Sequence, residues 1–252
     1  MAEPQKPVGP VSLTSTAHKG VRIKDIGNIE HIAQNHFAKI YTPEFVKAGA
    51  DYPIIFVKDP ETGIFFSAVM WGLEPGENLF VEDNTWKGGY YPASVRCYPF
   101  AMQADPENKE RLFIGIYEQA SVLNMEEGNL IFNDDGTETK WMLEVKEFLV
   151  KVFQHEEMTK QFVIKLNELE LLVPQSLSIK NAADETTQDV SGFYIVDREK
   201  LAKLPDEQFL ELRNSGALEV IYNHIMSLET LDKMLMKKQI KAPSTPPGSA
   251  AG

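Results

Sequence analysis

Residues 52–73, YPIIFVKDPETGIFFSAVMWGL, hold two runs rich in Ile, Val, Phe and Tyr on either side of the turn PETG. Such residues suit a pleated surface, and short runs of them between Pro and Gly clusters read as strands. The same pattern continues outward. EPGE (74–77) leads to LFVED (79–83), and Gly88-Gly89 precedes YYPASVRCYPFAM (90–102). RLFIGIYEQAS (111–121) and NLIFN (129–133) follow. No helix of normal length separates most of these runs, so the sheet is expected to be mainly antiparallel. One internal echo stands out: Gly76 and Gly128 each lie two residues after a glutamate, Glu74 and Glu126, and seven residues before an Asp, Asp83 and Asp135. Two similar hairpin units would produce it, as would turn composition alone.

The period changes in the second half. Trp141, Val145, Phe148, Val152, His155, Thr159, Phe162, Leu166 and Leu169 fall three or four apart, one face of a long helix or of two helices meeting near His155. Glu144, Lys146, Glu147, Lys151 and Glu157 occupy the opposite face, and Pro174 is expected to end the segment. LSIKN (177–181) and SGFYIVD (191–197) read as strands around the polar AADETTQD (182–189). Asp206 is placed to cap a helix that stops near Asn214-Ser215-Gly216, and residues 217–238 form a last helical stretch. The expected fold is α+β: a mainly antiparallel N-terminal sheet with helices from the C-terminal half packed on it. Residues 1–30 are expected to be a flexible arm, 31–238 a single α+β domain and 239–252 a disordered tail.

With 25 Lys+Arg against 37 Asp+Glu, the 252-residue chain carries a formal charge of −12. Nucleic-acid binding and anionic membrane surfaces both call for the opposite sign. The longest uncharged apolar stretch, Ile64 to Leu73, has 10 residues, against about 20 for a membrane-spanning helix. Transmembrane insertion is therefore not expected. The first twenty residues hold no apolar run of a secretory leader, so a cytoplasmic location is the simpler expectation. Cys97 is the single cysteine, which rules out an intramolecular disulfide, and its RCYPF setting suits a small packed hydrophobe.

No phosphate-binding loop, nucleophile elbow or His-Glu-x-x-His motif occurs. No cofactor and no metal site is expected, and the chain is read as leaning away from enzymes. His155 and His224 sit on apolar helical patterns, each suited to a satisfied core histidine and, as an alternative, to a base in an enzyme. NDDGTE (133–138) resembles part of a calcium loop but has Glu138 where that loop needs its glycine; a plain Asp-Asp-Gly turn is the expectation. From Tyr52 to Phe100 the chain places 11 of its 25 aromatics. Trp86, Tyr90 and Tyr91, with Asn78, Asp83 and Arg96, would make a platform for a peptide or saccharide if exposed. If packed, they are core. Arg96, among aromatics, must reach water or meet a carboxylate such as Asp51 or Asp83.

DYPIIF (51–56), GENLFVED (76–83), Trp86, YYPASVRCYPF (90–100), EEGNLIF (126–132), GFYIVDREKLAKLPDEQF (192–209) and SGALEVIYNHIMSL (215–228) occur in order. This collinear set resembles the SapC family of bacterial proteins, across roughly residues 37–235. The recurrent positions are Asp51, Tyr52, Pro53, Gly76, Asn78, Phe80, Trp86, Pro92, Arg96, Tyr98, Pro99 and Phe100, with Gly128, Asp197 and Gly216 later. Cys97 stands where the resemblance leads one to expect a second basic residue. The resemblance brings no catalytic residues. It implies association with a bacterial surface layer or envelope, and a genomic setting near outer-membrane receptors. Three functions are thus expected, in order: a non-enzymatic accessory protein acting through a protein partner or self-association; a cytoplasmic module binding a peptide or sugar for a receptor-linked uptake system; and an enzyme using His224 or His155. For the first, the cell surface would be reached by a leaderless route.

Overall fold

A computed structural model describes residues 9–24, 29–104, 112–180 and 187–241. In chain order the strands are β1 (Val11–Ser12), β2 (Arg22–Ile23), β3 (Phe37–Lys39), β4 (Ile54–Lys58), β5 (Phe65–Met70), β6 (Val81–Glu82), β7 (Thr85–Trp86), β8 (Phe100–Ala104) and β9 (Leu112–Ile116). β10 (Leu123–Asn124), β11 (Asn129–Leu130), β12 (Leu172–Lys180) and β13 (Thr187–Val196) follow. The helices are α1 (Phe45–Gly49), α2 (Ala93–Arg96), α3 (Lys140–Glu168), α4 (Arg198–Ala202), α5 (Asp206–Asn214), α6 (Ala217–Ser227) and α7 (Thr230–Lys241). The class is α+β, and every pairing among the described strands is antiparallel.

The described residues form two compact units, one within 1–29 and 93–156, the other within 30–92 and 157–252. In the first, β1-β9-β8 and β10-β2-β11 make two small sheets. Ile23, Phe100, Ile116, Ile131, Met142 and Leu149 form its core, with Cys97 half-buried beside them. In the second, the order β12-β13-β4-β5-β3 joins strands from both halves of the sequence. The two runs that flank PETG are its hairpin, Ile54 opposite Val69 and Lys58 opposite Phe65. The Asp59 carboxylate closes that turn by accepting the Glu61 and Thr62 N–H groups at 2.9 and 2.8 Å. Phe56, Val163, Leu166, Leu171, Ile221 and Ile225 pack together under this sheet. Fully buried side chains of this kind stabilise by about 1.5–3 kcal/mol each.

Several expectations change. YYPASVRCYPF is not one strand: Ala93–Arg96 is a single helical turn and the strand starts at Phe100. Pro92 and Pro99 cannot donate to a ladder, which excludes a continuous strand between them. The long periodic segment is one helix, α3; Val152, Thr159 and Leu166 of the expected seam are buried, while Met142, Leu149 and Val163 are buried in place of their neighbours Trp141, Phe148 and Phe162. Glu170, with φ of 54°, stops the chain from continuing as helix, whereas Pro174 stands in the edge strand β12, where a missing N–H is tolerated. The N-terminal residues 9–24 supply β1 and β2. Of the expected tail, 242–252 lies outside the described residues.

The two echoed glycines do behave alike. Gly76 and Gly128 both have positive φ, 88° and 95°, and each leads to a tight reversal: the β6–β7 hairpin, and the bridge between Phe132 and Glu138. In the latter, Asp135 accepts the Thr137 N–H and Oγ–H at 2.9 and 2.6 Å. These bonds hold its carboxyl below the usual range. This is the Asx turn that Asp-Asp-Gly favours.

Candidate functional site

The aromatic enrichment of residues 52–100 divides: Tyr98 and Phe100 pack in the first unit, while Tyr52, Trp71, Phe80, Trp86 and Tyr91 form a packed cluster in the second. Asp83 and Asn84 both take positive φ, 47° and 54°, the conformation a two-residue hairpin loop demands, and so β7 returns to present Trp86. The Trp86 ring lies 4.9 Å from Trp71 and 5.4 Å from Tyr91, both edge-on, and Tyr52 meets Phe80 at 4.8 Å and 89°. Edge-to-face pairs of this kind exploit the positive ring edge against the negative face. Gly88 and Gly89 are there for close approach. A Cβ on Gly88 would fall on the Tyr52 hydroxyl and the Trp86 ring, and one on Gly89 would come within 2.5 Å of the Asp51 carboxylate.

Polar wiring runs through the same rings. Tyr52 donates its hydroxyl to the Tyr90 carbonyl at 2.7 Å and accepts the Tyr90 N–H at 3.2 Å. Tyr90 in turn donates its hydroxyl to Glu44 at 2.6 Å, and the other Glu44 oxygen accepts the Tyr41 N–H at 3.2 Å. Burial pushes the Tyr52 phenol far above its ordinary range and Tyr91 up to about 12. Both therefore remain neutral donors at physiological pH. The buried N–H groups of Trp71 and Trp86 and the buried Tyr91 hydroxyl have no hydrogen-bond partner among the described residues. Trp86 approaches the Tyr52 hydroxyl, already engaged by Tyr90, outside hydrogen-bond geometry.

Of the six residues singled out in the sequence, Trp86, Tyr90 and Tyr91 come together here. Asn78 supports them from below: buried, it donates to the Ile32 carbonyl at 3.0 Å and accepts the Phe80 N–H at 2.9 Å. Asp83 is an exposed turn residue. Arg96 belongs to the other unit, where it ends α2 at the surface with its guanidinium 5.0 Å over the Phe148 ring. Sequence reasoning missed Glu44, Trp71 and the Tyr52 hydroxyl as members. The Asp51-Tyr52-Pro53 motif was a pointer to the last of these.

His224 is fully buried and accepts the Val196 N–H on Nε2 at 3.0 Å while its Nδ1–H donates to the Ile54 carbonyl at 2.9 Å. The pairing of β13 with β4, Tyr194 opposite Phe56, would next bring Val196 opposite Ile54. The imidazole extends that ladder by standing between the two strands. Burial lowers its pKa to about 4, against a smaller raising effect of the Ile54 hydrogen bond. His155 lies half-buried on α3. Asp197, one of the motif positions, caps α4 by accepting the N–H groups of Glu199 and Lys200 at 2.9 and 3.1 Å. Gly216, with φ of 79°, separates α5 from α6. Among the described residues no group of three or more His, Cys, Asp or Glu is gathered as metal ligands would be, and no helix is long and apolar enough to cross a membrane.

Fold and cluster together define an α+β protein of two units, with a packed aromatic cluster braced by the motif residues Tyr52, Asn78, Phe80 and Trp86. The chain belongs to the SapC family, whose model matches residues 13–234. Comparison with curated proteins and with solved structures finds no significant match.

Proposed function

We propose that the chain is a non-enzymatic accessory protein of the bacterial surface layer or envelope that works through protein contacts. The outward side of α6 carries this reading. Tyr222 and Met226, four residues apart, are 48% and 69% exposed, while Ile221, His224 and Ile225 close the inward side. A large aromatic with a polar tip beside a flexible thioether makes an adaptable contact surface. The engagement of both His224 nitrogens by backbone supports a structural role for the one histidine that is fully buried. The test is co-sedimentation of the purified protein with surface-layer sheets reassembled from their isolated subunit. Saturable binding is expected, weakened about tenfold or more by the double variant Tyr222→Ser, Met226→Asp, as for a contact centre. Wild-type protein left in the supernatant, or a variant that binds equally well, overturns the reading.

The cluster favours a second reading, a cytoplasmic module for a peptide or sugar serving receptor-linked uptake. Its support is the pair of half-buried side chains, Trp86 and Tyr91, whose buried donors lack partners. A ligand carbonyl or hydroxyl would satisfy them, since a buried unpaired donor costs about 1–3 kcal/mol. Titration with oligosaccharides and short peptides, followed by the Trp86 indole N–H resonance, is expected to show a saturable shift. Trp86→Phe keeps a ring and deletes the donor, and is expected to weaken binding about tenfold. No shift with any ligand, or unchanged affinity in Trp86→Phe, removes this reading.

A further inference from the structure

The first seventeen residues of α3 belong to the first unit, and one side of them faces water. Leu143, Lys146, Glu147, Val150, Lys151 and Gln154, at helical spacing, line a shallow groove of about 500 Å³. Its floor is apolar: Leu143 is 47% and Val150 41% exposed. A soluble helix ordinarily turns such positions inward. The charges around them are unequal in status. Lys146 is held by Glu138 at 3.0 Å, and Lys140 stands 3.9 Å from Glu144. Glu147 and Lys151 hold no ion pair among the described residues.

We infer that this face of α3 binds the same face of a second copy, antiparallel, about a two-fold axis at the level of Leu149 and Val150. In an antiparallel helix pair related by such an axis, each flank of one helix lies beside the identical flank of the other. Glu147 and Lys151 share a flank and are equidistant from residue 149. The operation therefore sets Glu147 of one copy beside Lys151 of the other, twice over, while Val150 meets its counterpart near the axis. An interface that closes on itself must be self-complementary in this way. The occupant follows from the charge balance. A strongly basic or acidic partner would find one opposite and one like charge on the flank, whereas a second copy pairs both. The net charge of −12 on each copy opposes any self-association, so the paired flanks have to offset that repulsion locally. This inference is independent of α6.

Sedimentation velocity of the full chain over a concentration series at physiological ionic strength, where the net repulsion is screened, tests it. A monomer–dimer equilibrium is expected, with Val150→Asp monomeric throughout. Glu147→Lys and Lys151→Glu, each singly, put like charges together twice and are expected to weaken the dimer about tenfold or more. The double variant Glu147→Lys, Lys151→Glu restores opposite pairs and is expected to return within about threefold of wild type. All these positions are exposed, and circular dichroism checks that each variant folds. A wild-type monomer at every concentration overturns the inference, as does a dimer indifferent to Val150→Asp. Failure of the double variant to recover overturns the two-fold register. None of these outcomes touches binding to layer sheets through α6, which the co-sedimentation test decides separately.

Discussion

His224→Ala is expected to lower the unfolding free energy of the second unit by about 3–5 kcal/mol, measured by denaturant unfolding at neutral pH. The substitution empties a ring-sized volume beside Phe56, whose ring lies 4.9 Å from the imidazole. It also leaves the Val196 N–H and the Ile54 carbonyl without the partner that joins them. The wild-type ring carries a pH dependence as well. In the unfolded chain it takes up a proton near 6.5, and in the folded protein only near 4, because burial penalises the cation and Nε2 is needed as an acceptor. The unfolded state thus binds more protons between these values, so stability is full above pH 6.5 and falls as pH drops toward 4. The shift amounts to roughly 3 kcal/mol. His224→Gln, which does not titrate, is expected to lose this part of the acid slope and keep the remainder. Equal slopes in wild type and His224→Gln would show that the ring does not titrate as its burial requires.

Gly128→Ala is expected to cost the first unit about 3–5 kcal/mol. The backbone here has φ of 95°, and an added Cβ would overlap the Ile23 carbonyl oxygen and lie 2.6 Å from its carbon. Both obstacles are main chain, so no side-chain rotation relieves them. The strain falls where β11 pairs with β2 and where Arg22 reaches the Gly128 carbonyl at 3.0 Å. Gly136→Ala provides the comparison. Its φ of 85° imposes a similar conformational cost, about 1–2 kcal/mol, but its Cβ would meet only Ser15 at 3.6 Å. Hydrogen exchange at β2 and β11 separates the two, with Gly128→Ala losing far more protection. Equal losses would mean that the left-handed conformation alone, and not the crowding, governs the site.

Much of the local structure was legible. The runs on either side of PETG are β4 and β5, short continuous stretches of branched and aromatic side chains bounded by turn residues. The helical period from Trp141 to Leu169 is α3, and Val152, Thr159 and Leu166 are buried as the period expects, yet Met142 and Leu149 are buried in place of Trp141 and Phe148. Adjacent apolar pairs such as Trp141-Met142 and Phe148-Leu149 satisfy the same period, and only the surface they pack on chooses between them. Residues 9–24 gave no strand signal, since two-residue strands take their conformation from their partners; the family match nonetheless begins at residue 13, ahead of the first recognisable motif.

The site was legible as composition and not as arrangement. Eleven aromatics between Tyr52 and Phe100 mark the stretch that supplies the cluster, and the motif string marks the family. Neither says that Tyr90 is tied to Glu44, 46 positions earlier, or that Arg96 lies over Phe148 instead. What the chain determines by itself is the set of periods, turns and caps, because these arise between residues a few positions apart. Tertiary structure alone decides which polar groups are satisfied and which rings are closed in. The histidine that bridges two strands finds its acceptor 170 residues away, and no local spacing encodes a partner at that distance.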